Sequence, residues 1–102
     1  MKTLILFSTL MIASVSRAEE RDPASIKAEG ARKAATCVAC HGEKGISVNP
    51  QWPNLAGQKK EYLKIQLTAF RDGQRVNPLM SPMAKTLSDA DIETLADYFS
   101  SL

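Results

Sequence analysis

The stretch TCVACHG, residues 36–42, constrains this chain more than any other feature. It contains both cysteines, Cys37 and Cys40, and the only histidine, His41, of a chain of 102 residues. Positions i, i+3 and i+4 share one face of a helical turn, so the three side chains can address one planar ligand. The C-x-x-C-H spacing is the signature of c-type haem attachment, in which both thiols form thioethers and the histidine binds iron. We therefore predict one covalent haem c.

Three other interpretations of this motif are weaker. A disulfide between residues three apart would close a very short loop and stabilise little. A thioredoxin-like redox pair should accompany a βαβ pattern, and the chain shows no convincing strand. A structural zinc site needs four ligands, and two cysteines with one histidine are one short.

The N-terminal segment indicates export. Lys2 is followed by an apolar run over residues 4–13 and by small residues at Ser16 and Ala18. This is the pattern of a secretory signal peptide, so we expect residues 1–18 to be cleaved after Ala18. The apolar run is shorter than the ~20 residues that span a bilayer, so no stable membrane insertion is expected.

The expected cleavage changes the charge balance. The full chain has 13 basic and 11 acidic residues, but Lys2 and Arg17 leave with the signal peptide, so residues 19–102 carry 11 of each. This neutral balance gives no indication of nucleic-acid binding. Lys60 and Lys64, one helical turn apart, are expected on a solvated outer face. A single domain of about 80 residues buries a modest core and often relies on a cofactor, which fits the predicted haem.

Helical periodicity predicts three main helices joined by two proline-rich loops. The first runs from Ala24 toward the attachment motif, and the second covers QKKEYLKIQLTAFRDG and ends at Gly73. The third begins at Ser88, which is expected to form a capping box with Asp91. The apolar positions expected to face the core are Leu63, Leu67, Phe70, Ile92, Leu95, Ala96 and Phe99.

A histidine-bound haem iron leaves one axial position to fill, and its occupant decides the chemistry. The chain has no second histidine, and Met1 and Met11 would leave with the signal peptide. Met80 and Met83 therefore remain as candidates, both in a proline-bracketed segment that is expected to be a loop. The residues alone do not decide which of the two methionines is the ligand.

Several motifs, in this order, resemble class I cytochromes c. CVACHG, PNLAGQ and YLKIQLTAFRDGQRVNPLMSPMAKTLSDADIETLADYFSSL are similar to the small bacterial periplasmic group that includes cytochrome c553 and the single domains of dihaem cytochrome c4. The resemblance implies an all-α class I fold, with three main helices and proline-rich loops around one covalently bound haem. In that group the ligand methionine lies eight residues before the serine that caps the last helix. This count implies that Met80 is the axial ligand and Met83 a packing residue.

The resemblance also implies two contacts within the protein. The backbone carbonyl of Pro53 is expected to accept the Nδ1 proton of His41, and Pro50 is the weaker candidate. The first and last helices are expected to cross where Gly30 meets Tyr98 or Phe99, since a glycine permits close approach.

With both axial positions filled, the iron has no vacancy for a substrate, so one-electron transfer is the main chemistry left. We therefore expect a periplasmic electron carrier rather than an enzyme, a monomer or weak dimer that exchanges electrons with a redox protein donor and acceptor. One alternative is a haem subunit of a periplasmic dehydrogenase or reductase complex. Another is a ligand-binding haem, which requires a displaceable methionine.

Overall fold

The computed structural model of the protein describes residues 3–12 and 22–102. Residues 3–12 are exposed and have no regular secondary structure. The expected cleavage position after Ala18 lies outside the described residues. Across the two described ranges the chain forms helices and no β-strand. No helix in those ranges is long and apolar enough to cross a membrane.

The described residues form five α-helices. They are α1 (Pro23–Lys33), α2 (Val38–His41), α3 (Lys60–Asp72), α4 (Met80–Ala84) and α5 (Asp89–Ser100), and a 3₁₀ turn over Ala34–Thr36 separates α1 from α2. Helix α5 packs against both α1 and α3, and α4 packs against α3. The predicted all-α architecture with three main helices, here α1, α3 and α5, is confirmed.

Local sequence explains where these helices begin and end. Oδ1 of Asp22 accepts a hydrogen bond from the backbone N of Ala24 at 2.8 Å and caps α1. Gly73 ends α3 in the left-handed conformation. Ser88 and Asp91 form the predicted capping box of α5, in which each side chain accepts from the other residue's backbone N at 3.0 Å.

The core lies where α5 meets α3 and the turn after α1. Its buried cluster consists of Ala34, Leu63, Leu95, Ala96 and Phe99. Phe70 and Ile92 are also buried, and Leu67 is partly buried against the cluster. The apolar stripes expected from helical spacing therefore face the core.

The expectation that Lys60 and Lys64 lie on a solvated outer face is wrong in one respect: the side chains are 34% and 33% exposed, but both form ion pairs with α5. Nζ of Lys60 contacts Glu93 and lies 2.8 Å from Oδ1 of Asp97, and Nζ of Lys64 lies 2.8 Å from Oε2 of Glu93. Both lysines flank the apolar stripe of α3 at helical spacing, so their ammonium groups reach the acidic side chains along the edge of α5. The two lysines therefore connect α3 to α5.

The expectation that both methionines lie in a loop is also wrong, because Met80 and Met83 belong to α4. Pro82 is the third residue of this helix. The first four N–H groups of an α-helix have no partner within it, so a proline at this position removes no helical hydrogen bond. The short helix therefore forms despite the prolines around it.

Candidate haem site

The attachment motif is wound into one turn around Cys37. The carbonyl of Cys37 accepts hydrogen bonds from the backbone N of Cys40 at 3.3 Å and of His41 at 2.9 Å. Both cysteines are half-buried, and they are not joined in a disulfide. Burial raises the pKa of the Cys37 thiol, whereas redox-active C-x-x-C thiols have a lowered pKa. The direction of this pKa shift is thus opposite to that of a redox pair.

His41 is the buried member of the motif, with 6% of its surface exposed. Its Nδ1 lies 2.8 Å from the backbone carbonyl oxygen of Pro53. Since a carbonyl oxygen only accepts hydrogen bonds, Nδ1 carries a proton, and in the neutral imidazole Nε2 then has the lone pair that binds a metal. The bond also fixes the orientation of the imidazole ring. Two thiols and one neutral imidazole on a single turn are the donor set that a covalent haem requires.

A sharp turn after the motif brings Pro53 to the histidine. Gly42 has φ 86°, and a Cβ at this position would lie 1.9 Å from the carbonyl oxygen of Ile46. The carbonyl of Gly45 then accepts a hydrogen bond from the backbone N of Leu55 at 2.8 Å, which fastens the PNLAG segment to the turn. A glycine directly after the attachment motif was the available sequence signal for this turn.

The two methionines considered as axial ligands differ in exposure. Met80, the first residue of α4, is half-buried, and Met83 is 45% exposed. Helix α4 is held against α3, and Ala84 at its end is fully buried. Packing against α3 therefore fixes where α4 lies, and with it the part of the chain that carries both thioethers.

Comparison with known proteins decides the family. The sequence profile of the family described as cytochrome c matches residues 27–102. The chain belongs to the cytochrome c family. Cytochrome c-554(548) of Halomonas halodenitrificans is 51% identical to it over 77 residues, which are 72% of this chain and 93% of that protein.

Two longer proteins are similar to this chain over part of their length. The thiosulfate dehydrogenase electron acceptor of Stutzerimonas stutzeri is 40% identical over 92 residues, covering 85% of this chain and 43% of that protein. The structure of cytochrome c4 from Acidithiobacillus ferrooxidans superimposes with a TM-score of 0.70 at 38% identity, over 74% of this chain and 49% of that one. This cytochrome thus spans about half the length or less of these two relatives.

Family membership confirms the predicted fold class and cofactor. The protein is a class I, cytochrome c4-like c-type cytochrome with one covalent haem c at Cys37 and Cys40, beside His41, and it functions in electron transfer. The haem supplies reversible one-electron oxidation and reduction of its iron. The protein's own contribution is to hold the imidazole, with its proton on Nδ1, in a fixed orientation in a buried position.

Proposed function

We propose that this cytochrome is a diffusible periplasmic electron carrier, not an enzyme, whose haem iron is held between His41 and Met80. The observation that carries the proposal is the 2.8 Å contact between Nδ1 of His41 and the carbonyl of Pro53. It leaves Nε2 as the ligand atom and makes the imidazole more basic. The Met80 thioether, as the second ligand, would favour Fe(II) and raise the potential, as suits a carrier that works at the oxidising end of a respiratory chain.

The choice of Met80 as the second ligand is supported by the count of eight residues back from Ser88, the residue that caps α5. Once both axial positions are filled by the protein, the iron offers no site for a substrate. Electron transfer then needs little rearrangement, because both ligands keep their places when the charge changes.

The proposal includes export to the periplasm and exchange of electrons with other proteins. The signal-like residues 1–18 support cleavage after Ala18 and release into the periplasm. One relative is named as the electron acceptor of thiosulfate dehydrogenase. We propose that this cytochrome likewise exchanges electrons with a protein donor and a protein acceptor, as a monomer or weak dimer.

The proposal is tested on the full chain, expressed in a bacterium that attaches haem c and exports it. We expect the periplasmic fraction to contain a protein that begins at Glu19, carries one haem and titrates as a single one-electron couple. Its spectrum should be low-spin and six-coordinate, with a sulfur-to-iron charge-transfer band when oxidised. A five-coordinate, high-spin spectrum with rapid binding of carbon monoxide would instead indicate a ligand-binding haem.

Size-exclusion chromatography of material from the native host separates a free carrier from a subunit. Elution at the size of the mature chain supports the carrier. Elution together with a larger dehydrogenase or reductase, in an association that survives high salt, would overturn the carrier proposal in favour of the subunit interpretation.

A further inference from the structure

The side chains of Asn77 and Ser81 accept hydrogen bonds from the backbone around Met80. Oδ1 of Asn77 accepts from the backbone N of Leu79 and from the backbone N of Met80, both at 2.9 Å. Oγ of Ser81 accepts from the backbone N of Asn77 at 2.9 Å, and the backbone N of Ser81 donates to the carbonyl of Asn77 at 3.0 Å. These four hydrogen bonds close the segment of residues 77–81 into a ring, and Met80 is one of the residues in that ring.

Burial contributes little to fixing the residues just before α4. Val76 is 82% exposed and Leu79 is 58% exposed. Leu79 precedes α4 in the N-cap position and supplies no side-chain hydrogen bond to the helix. The first N–H groups of a helix need an acceptor from elsewhere. Asn77 provides it, so this one carboxamide helps to set the direction of the chain at Met80, while packing against α3 holds the rest of α4.

Pro78 adds stiffness to the same ring. It has no N–H and its φ is fixed, so the chain between Asn77 and Leu79 has little freedom. The carboxamide oxygen of Asn77 therefore meets the N–H groups of Leu79 and Met80 in a nearly preset geometry. A thioether that extends from such a backbone loses less conformational freedom when it binds a metal than one on a loose loop.

We infer that Asn77 is a positioning residue for the axial methionine, acting through the backbone N–H groups of Leu79 and Met80. The inference rests on the proposed function, because it takes Met80 as the iron ligand. Its consequence is energetic as well as structural: the fixed backbone keeps the thioether close to the iron and makes its replacement by another ligand less favourable.

The test uses the full-length, haem-loaded protein and imidazole as the competing ligand for the oxidised iron. Loss of the sulfur-to-iron charge-transfer band reports replacement of methionine. Asn77→Ala removes the acceptor of two hydrogen bonds, so we expect imidazole to displace the methionine at up to roughly tenfold lower concentration. Asn77→Asp keeps an oxygen acceptor in place and should restore a midpoint close to that of the unsubstituted protein.

The matched control is a variant that loses the N-cap of α1. The carboxylate of Asp22 also accepts two hydrogen bonds, from the backbone N of Ala24 at 2.8 Å and from Oγ of Ser25 at 3.1 Å, at the start of α1. Asp22→Ala should leave the imidazole midpoint unchanged. If it shifted the midpoint as much as Asn77→Ala does, general destabilisation would explain both and the inference would be overturned.

Two further variants keep the inference falsifiable. Ser81→Ala removes the other side-chain acceptor of the ring, and it should shift the midpoint in the same direction even if Asn77→Ala does not accumulate with haem. A midpoint equal to that of the unsubstituted protein in Asn77→Ala, or in Ser81→Ala where Asn77→Ala does not accumulate, would overturn the role of Asn77. The ligand assignment would still stand if the band is lost in Met80→Ala. Survival of the band in Met80→Ala would overturn both.

Discussion

Gly30 in α1 lies directly against Tyr98 in α5. A Cβ at Gly30 would lie 2.6 Å from Cβ of Tyr98 and 2.9 Å from its Cγ. The resemblance to class I cytochromes c implied an aromatic partner on the last helix and left Tyr98 and Phe99 open. The structure assigns the contact to Tyr98, while Phe99 is buried in the core and meets the Tyr98 ring edge-on, with centroids 5.1 Å apart. The glycine thus permits the close crossing of α1 and α5.

Gly30→Ala should destabilise the protein. The new methyl group meets the Cβ of Tyr98, which cannot move unless α1 and α5 separate. Overpacking costs about 1–3 kcal/mol and the better helix propensity of alanine contributes about 1 kcal/mol of stability. We therefore expect a net loss of up to about 2 kcal/mol in the free energy of unfolding. Denaturant unfolding of the haem-loaded protein measures this loss.

Ala28→Gly and Ala31→Gly, at exposed positions of the same helix, provide the control. They change helix propensity without approaching α5, and each should cost about 1 kcal/mol. A Gly30→Ala variant more stable than the unsubstituted protein would show that the two helices separate freely at this crossing.

Acid should weaken the attachment of α5 to its neighbours. Lys33 and the capping-box hydrogen bond with Ser88 lower the pKa of Asp91 to about 2, and Lys60 with Lys64 lowers the pKa of Glu93 to about 2. Because both values lie below those of the unfolded chain, the stabilisation is complete above about pH 5 and is lost as the pH falls from about 4 to 2. Exposure to solvent keeps the effect small.

Thermal unfolding as a function of pH measures this dependence. Asp91→Asn keeps an oxygen for the capping box but removes the charge, so the fall in melting temperature between pH 5 and 2 should become shallower. Glu43→Gln, in the exposed loop after the attachment turn, is the control. If Asp91→Asn had the same pH profile as the unsubstituted protein, the ion pair with Lys33 would contribute nothing to folding.

Replacement of each methionine assigns the axial ligand. Met80→Ala should abolish the sulfur-to-iron charge-transfer band, let carbon monoxide bind the reduced haem and lower the potential by roughly 0.1 V or more, since axial ligands set haem potentials over a wide range. Met83→Ala should keep the band and the potential. Loss of the band in the Met83 variant alone would show that the count from Ser88 is wrong.

Electron transfer should depend only weakly on ionic strength. Lys60 and Lys64 are paired with Glu93 and Asp97, so they form no concentrated positive patch. We expect the rate of oxidation by ferricyanide to change less than about threefold between low and physiological salt. A rate that falls steeply with added salt would contradict this expectation. If Lys59→Gln removed that fall, a positive patch including Lys59 would be steering ferricyanide despite these pairs.

The sequence by itself determined the features that depend on residues a few positions apart. The cofactor follows from C-x-x-C-H, and the ends of α3 and α5 follow from Gly73 and from the Ser88 capping box. The apolar stripes follow from helical spacing. The Asn77 hydrogen bonds are equally local, and the Asn-Pro dipeptide was a turn signal that could have indicated them.

The tertiary structure decided which surfaces meet. Helical spacing shows which face of α3 is apolar, but it does not say which helix covers that face, so the ion pairs of Lys60 and Lys64 were not predictable. The choice of Tyr98 over Phe99 depends on the angle at which α1 crosses α5, which many contacts set together. A pattern along the chain specifies the side of a helix that must be buried, while the neighbour that buries it is selected by the packing of the whole domain.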